Sequence, residues 1–168
     1  MRKSILYALV SIIALALIGC APGKGTAPKG SEIEIEKAAI KFAEDVNSGG
    51  YKIISTAELK SWTSENPGKM VIISTLPAAD DKDLGRIPSA VTSTIPGAEK
   101  DLTTEDKDSL IKTAGLEKDK TIVIYCGFVA CRRSHIGAKI LVDEGFANVY
   151  RYPAGILGWK EMGYPTTK

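Results

Sequence analysis

From residue 32 onward the apolar positions alternate between two spacings. Glu32 to Asn47 places Ile35, Ala38, Ala39, Phe42 and Val46 near one face of a helix, with acids early and Ser48-Gly49-Gly50 as a stop. Tyr51 to Ile54 reads as a short strand. Ser55 caps a helix over 56–64, with Glu58 at the reciprocal capping position and Asn66-Pro67-Gly68 behind it. Met70 to Ser74 is an apolar, β-branched run without alternation, the pattern of a strand covered on both faces of a parallel sheet. Residues 76–100, with Pro77, Pro88 and Pro96, read as loop apart from a short strand at Ala90-Val91-Thr92. Thr103 caps a helix over 104–114 that Gly115 ends, and Thr121 to Tyr125 is the strongest strand in the chain. A helix over 134–144, a strand over 148–150 and a short helix over 156–162 complete the pattern. Strand and helix alternate, which predicts a single α/β domain with a mostly parallel central sheet flanked by helices on both faces.

The first twenty residues follow another pattern. Met1-Arg2-Lys3 is basic, residues 5–18 are an almost unbroken apolar run, and Leu17-Ile18-Gly19-Cys20 closes it. That run is shorter than the ~20 residues a spanning helix needs, and its basic start and small-residue end suit an export signal. It resembles a bacterial lipoprotein signal peptide, which implies cleavage before Cys20 and lipid on Cys20. The expected organisation is a signal peptide over 1–19, the lipidated Cys20 with a flexible Gly/Pro tether over 20–31, and a folded domain over 32–168. The domain would then sit in the cell envelope, outside the cytoplasm, anchored to a bacterial membrane through Cys20.

Charge sharpens this picture by subtraction. The 168 residues carry 22 Lys and Arg against 20 Asp and Glu. Arg2 and Lys3 account for the excess, so the chain beyond the leader is balanced. With no basic block, it lacks the footprint of a nucleic-acid binder, and no nucleic-acid partner is expected. Once Cys20 is set aside for lipid, Cys126 and Cys131 remain of three cysteines. A C-x4-C pair closes too small a loop for stability to be its purpose, which points to chemistry.

Cys126 stands where a strand ends and a loop leads to a helix, the place where open parallel sheets bind ligands. The loop amides and the guanidinium groups of Arg132 and Arg133 are expected to converge on its sulfur and favour the thiolate, a nucleophile or sulfur carrier. A small buried residue is the plainer alternative. Against it stand Gly127, two arginines and a capping Ser134.

At these residues the domain resembles the rhodanese family. The resemblance rests on Ile122-Val-Ile-Tyr-Cys126, Arg133-Ser134, Gly85-Arg86-Ile87-Pro88-Ser89-Ala90 and Asn148-Val-Tyr, followed by Gly155-Ile-Leu-Gly-Trp159 and Gly163-Tyr-Pro165. It implies a rhodanese-like sulfurtransferase. Cys126 takes a sulfane sulfur from a small sulfur-containing anion such as thiosulfate or polysulfide, holds it as a persulfide and passes it to a thiol acceptor. Arg133 would act beside Cys126, and Gly127, Phe128, Val129, Ala130, Cys131, Arg132 and Ser134 would form the substrate cradle. Neither metal nor organic cofactor is implied, and no protein partner is identified.

The pattern departs from the family in three places. Six residues separate Cys126 from Arg133 where four are usual, suggesting a different or larger substrate. The usual Asp-x-Arg is Ser74-Thr75-Leu76, and the usual Gly-His-Ile-Pro-Gly-Ala is Gly85-Arg86-Ile87-Pro88-Ser89-Ala90, so Arg86 is a candidate substitute charge for the substrate. Cys131 is either a resolving thiol for Cys126 or a small residue packed under the loop. Three rival readings remain: a thiol–disulfide redox protein using Cys126 and Cys131, cysteine phosphatase chemistry, whose loop has five residues between Cys and Arg, and an inactive rhodanese-like binding module. His135, the one histidine, is a candidate base or a packed side chain.

Overall fold

The computed structural model describes residues 32–65 and 67–168. The expected signal peptide, Cys20 and tether lie outside the described residues, as does Asn66. Residues 38–168 form one compact unit. In chain order the described elements are α1 (Glu32–Gly49), β1 (Lys52–Ile53), α2 (Thr56–Glu65), β2 (Met70–Ser74), α3 (Ala78–Leu84), β3 (Val91–Thr92), a 3-10 turn (Glu99–Asp101), α4 (Thr104–Ala114), β4 (Thr121–Tyr125), α5 (Arg133–Asp143), β5 (Asn148–Tyr152) and α6 (Gly155–Glu161).

All five strands pair in parallel in the order β1-β5-β4-β2-β3. The strand with the strongest apolar run, β4, takes the centre. Ile122 and Ile124 face a layer containing Leu110 and Ala114 of α4 and Ile136 and Leu141 of α5, whereas Val123 and Tyr125 face Leu59 of α2 and Ile156 and Trp159 of α6. Ile122, Val123 and Ile124 are wholly buried, and each contributes roughly 1.5–3 kcal/mol through that burial. Ser74, Tyr125 and Tyr152 are in register, so three strands end at one level and present their following loops on one edge.

Local rules account for several boundaries. Ser55 and Glu58 exchange backbone and side-chain hydrogen bonds at the start of α2, and Thr103 and Asp106 do the same for α4. Gly137 lets α5 ride close to β4, since a Cβ there would lie 2.7 Å from Ile124 Cδ1.

Three expectations need correction. The segment expected to be loop contains α3, a short helix between Pro77 and Gly85 whose Asp81 is buried and accepts from Ser74 Oγ at 2.7 Å. β1 is shorter than expected, keeping only Lys52 and Ile53. β5 is longer, running on to Tyr152 and so taking in Arg151.

Candidate active site

Cys126 follows β4 directly and opens the loop that leads to α5. It is 1% exposed. Its sulfur lies 3.2 Å from the Ser134 hydroxyl and 3.1 Å from the Cys131 carbonyl oxygen, and it accepts from the Ser134 backbone N–H.

The loop is fixed from two sides. From α6, the N–H groups of Ile156 and Leu157 donate to the carbonyls of Cys126 and Gly127 at 2.9 and 3.1 Å. That close approach requires Gly155, whose φ is +62°. A Cβ at this position would fall 2.3 Å from the Cys126 carbonyl oxygen. From the sheet, the buried Arg151 sends Nη2 to the carbonyls of Val129 and Cys131, each at 3.2 Å, and Nε to Ser134 Oγ at 3.1 Å. Its Nη1 donates to the Tyr51 hydroxyl at 3.2 Å, and Phe42 lies with its ring centre 5.2 Å from the guanidinium carbon. Arg151 is missing from the expected site residues because the expected strand stops at Tyr150. A charged residue between Tyr150 and Tyr152 was the available signal, since a buried guanidinium must find acceptors.

The loop amides divide between two sulfurs, which corrects the expectation that they converge on Cys126. The Ser134 amide reaches Cys126, whereas the N–H groups of Gly127 and Arg133 donate to the Cys131 sulfur. The Cys126 thiol donates to the Cys131 carbonyl oxygen at 3.1 Å. The Cys126 side chain, helped by those amides and by the Arg133 charge, brings the Cys131 thiol down to about 6 against the opposing effect of burial. Burial, and then the Cys131 side chain, push the Cys126 thiol up. The two thiols are therefore driven in opposite directions, Cys131 toward the thiolate and Cys126 toward the neutral thiol.

The remaining expected residues separate. Phe128 and Val129 are 52% and 43% exposed, and Ala130 is exposed beside them. Gly127 is buried at the base. Arg133 stays near the pair and donates to the Ile95 carbonyl. Arg132 turns away: its guanidinium binds Asp45 Oδ1 at 3.2 Å and Glu99 at 3.0 Å. Five residues do lie between Cys126 and Arg132, the phosphatase spacing, but the Arg132 guanidinium belongs to those carboxylates and not to the loop.

Behind the loop, Asp45 of α1 is buried among Arg132, Lys41 at 3.3 Å, and His135 and Arg151 at 3.7 Å. Burial disfavours its charge, but the Arg132 hydrogen bond and the neighbouring cations hold its carboxyl below the usual value. Tyr51 receives a hydrogen bond from Arg151, and its hydroxyl is hydrogen-bonded to His135 Nδ1 at 2.9 Å, while His135 Nε2 faces Asp45 at 3.7 Å. Burial pushes the His135 pKa down. His135 braces the loop from behind, and its ring nitrogens are engaged by Tyr51 and Asp45, not by Cys126.

The family model of the rhodanese-like domain matches residues 41–162. The chain belongs to the rhodanese-like family. Among solved structures it is similar to the 30 kDa polysulfide-sulfur transferase homodimer of Wolinella succinogenes, with 20% identity, 81% of this chain and 93% of that chain covered, and a TM-score of 0.57. It is similar, too, to a Rhodopseudomonas palustris protein described as a possible tyrosine phosphatase, with 18% identity, 87% and 98% coverage and a TM-score of 0.54. The rhodanese-like domain of an Anabaena protein aligns at 20% identity over 68% of this chain and 76% of that one, with a TM-score of 0.52. No curated protein matches. At these identities the structural likenesses establish the fold.

This rhodanese-like chain fills its departures from the family pattern in its own way. Where Asp-x-Arg is usual, Ser74 binds a carboxylate brought from α3, that of Asp81, which Thr92 also engages. Arg86 reaches this group only through Thr92 Oγ1, at 3.4 Å, and its main chain bridges to Thr167. Its contacts therefore lie in a second polar network, apart from the cysteine loop. Ser89 replaces the usual glycine yet keeps a left-handed backbone, with φ +67°.

Proposed function

We propose that the chain is a sulfurtransferase working outside the cytoplasm, tethered to a bacterial membrane through lipid on Cys20, with Cys126 as the residue that carries sulfur. The observation behind this reading is the seat of Cys126: a strand-end sulfur held by the hydroxyl and amide of Ser134 at the start of a helix, within a rhodanese-like fold. Cys126 attacks as its thiolate, steadied by the hydroxyl and amide of Ser134: its proton passes to the Cys131 thiolate as the Cys126 sulfur bonds to the outer sulfur of the donor. With thiosulfate, the S–S bond of the donor breaks and sulfite leaves; with polysulfide, a chain shorter by one sulfur leaves. Either way Cys126 holds a persulfide, whose outer sulfur an acceptor thiolate then takes.

Arg133 beside the pair favours an anionic donor. Polysulfide suits this loop better than thiosulfate, because Leu76 stands where the family's usual first arginine would meet the sulfonate end. The name of the Wolinella structural neighbour points the same way. Intact mass of the full chain after incubation with polysulfide, and separately with thiosulfate, tests the reading. The Cys131→Ala chain should gain one sulfur atom and the Cys126→Ala chain none. An unreactive Cys126 in the folded Cys131→Ala chain would leave the inactive binding module as the better description.

A further inference from the structure

The Cys126 and Cys131 side chains are neighbours inside a loop whose carbonyls are engaged by Arg151 and α6, and the Cys126 thiol donates to the Cys131 carbonyl oxygen at 3.1 Å. The Cys131 sulfur is not packed as a small apolar group. It accepts from two backbone amides, Gly127 and Arg133, which hold it facing its neighbour. Cys126 is buried, while Cys131 is partly exposed. A persulfide on Cys126 is thus awkward for a thiol arriving from solvent and already in contact with one sulfur nucleophile of the chain. Positioned reactants of this kind reach effective concentrations on the order of 10⁵ M or more.

Resting on the persulfide reading above, we propose that Cys131 resolves the loaded site by releasing hydrosulfide. Cys131 returns the proton it took to the outer persulfide sulfur, the Cys131 thiolate attacks Cys126 Sγ, the bond between Sγ and the outer sulfur breaks, and its electron pair leaves on the outer sulfur as HS⁻, which keeps that proton. A Cys126–Cys131 disulfide forms. The sulfane sulfur is reduced by two electrons and the two cysteines are oxidised by the same two. An external thiol or dithiol then reduces the disulfide by exchange, entering at the more exposed Cys131 sulfur and returning both cysteines to the thiol–thiolate pair. In this cycle the external thiol serves as reductant and the sulfur leaves as inorganic sulfide, so the chain supplies a reaction that consumes hydrosulfide.

The test uses the reduced full chain without added thiol. It is incubated with polysulfide and freed of excess donor, and then hydrosulfide release, intact mass and alkylation of both cysteines are followed over time. The wild-type chain should release one equivalent of hydrosulfide per chain and end two hydrogens lighter, with Cys126 and Cys131 refusing alkylation until a reductant is added. Cys131→Ser should hold the added sulfur on Cys126 and release none. A wild-type chain that keeps the added sulfur and releases no hydrosulfide overturns the resolving step while leaving the persulfide reading intact. Equal release from wild type and Cys131→Ser overturns it as well. Failure of both chains to take up sulfur removes the persulfide reading and this inference together.

Discussion

Replacing Gly155 by alanine strikes the joint between the loop and α6 without touching a reactive atom. The new methyl would lie 2.3 Å from the Cys126 carbonyl oxygen and 2.6 Å from the carbonyl carbon and oxygen of Gly127, all of them backbone atoms with no rotamer to give way. Relief requires α6 to move off the loop, which breaks the hydrogen bonds from Ile156 and Leu157, and losing these costs about 1 kcal/mol each. The left-handed φ of +62° adds about 1–2 kcal/mol for a residue with a Cβ. Together these give a destabilisation of about 3–4 kcal/mol, or a fall of roughly 10–15 °C in the melting midpoint for a domain of this size. Thermal unfolding followed by circular dichroism measures the fall. Alkylation of Cys126 in the native protein should accelerate as its carbonyl loses the α6 amide. A midpoint within about 2 °C of wild type, with Cys126 equally protected, would refute the view that Gly155 is the point where helix and loop are locked together.

Two other outcomes follow from the same geometry. Ser89→Gly should raise stability by about 0.5–1 kcal/mol, because glycine adopts the left-handed backbone freely and loses only part of that gain to unfolded-state entropy; denaturant unfolding reads the change, and a loss of stability would contradict it. Alkylation of Cys131 in the wild-type chain should rise with pH through an inflection near 6, since the thiolate is the reacting form. In Cys126→Ala the inflection should move toward the ordinary value of 9.0, so that the rate at pH 7 falls by on the order of ten-fold. An unmoved inflection would show that the Cys126 side chain is not what holds the charge on Cys131.

How much of this was legible in the residues depends on whether the deciding interactions were local. β4 and the capped starts of α2 and α4 were legible, since a buried apolar run and a reciprocal cap each declare themselves within a few positions. α3 was not, because Ala78 to Leu84 holds four charged residues and no apolar period. It is secured by Ser74 and Thr92 binding Asp81, contacts that arise only once β2 and β3 lie side by side. Cys126 and Ser134 could be picked out as a strand end and a helix start. Arg151 could not, because its partners come from Tyr51, Val129, Cys131 and Ser134. Arg132 shows the opposite failure. Its spacing from Cys126 suits an anion, yet Asp45, far away in sequence, captures it. Spacing also left open which sulfur the amides would address, since that depends on the tilt of individual peptide planes.

Arg151 never contacts the Cys126 sulfur, yet it orients the hydrogen that faces it. A guanidinium nitrogen can only donate, so the Ser134 oxygen accepts on that side and its single hydrogen is free to face Cys126. The Cys126 hydrogen then turns to the Cys131 carbonyl oxygen, 3.1 Å away, which Arg151 also engages. The site has in this way a built-in polarity, set by an arginine on the neighbouring strand. A side chain at 151 able to accept as well as donate would let the hydroxyl reverse, and Cys126 would lose the donor that faces its sulfur.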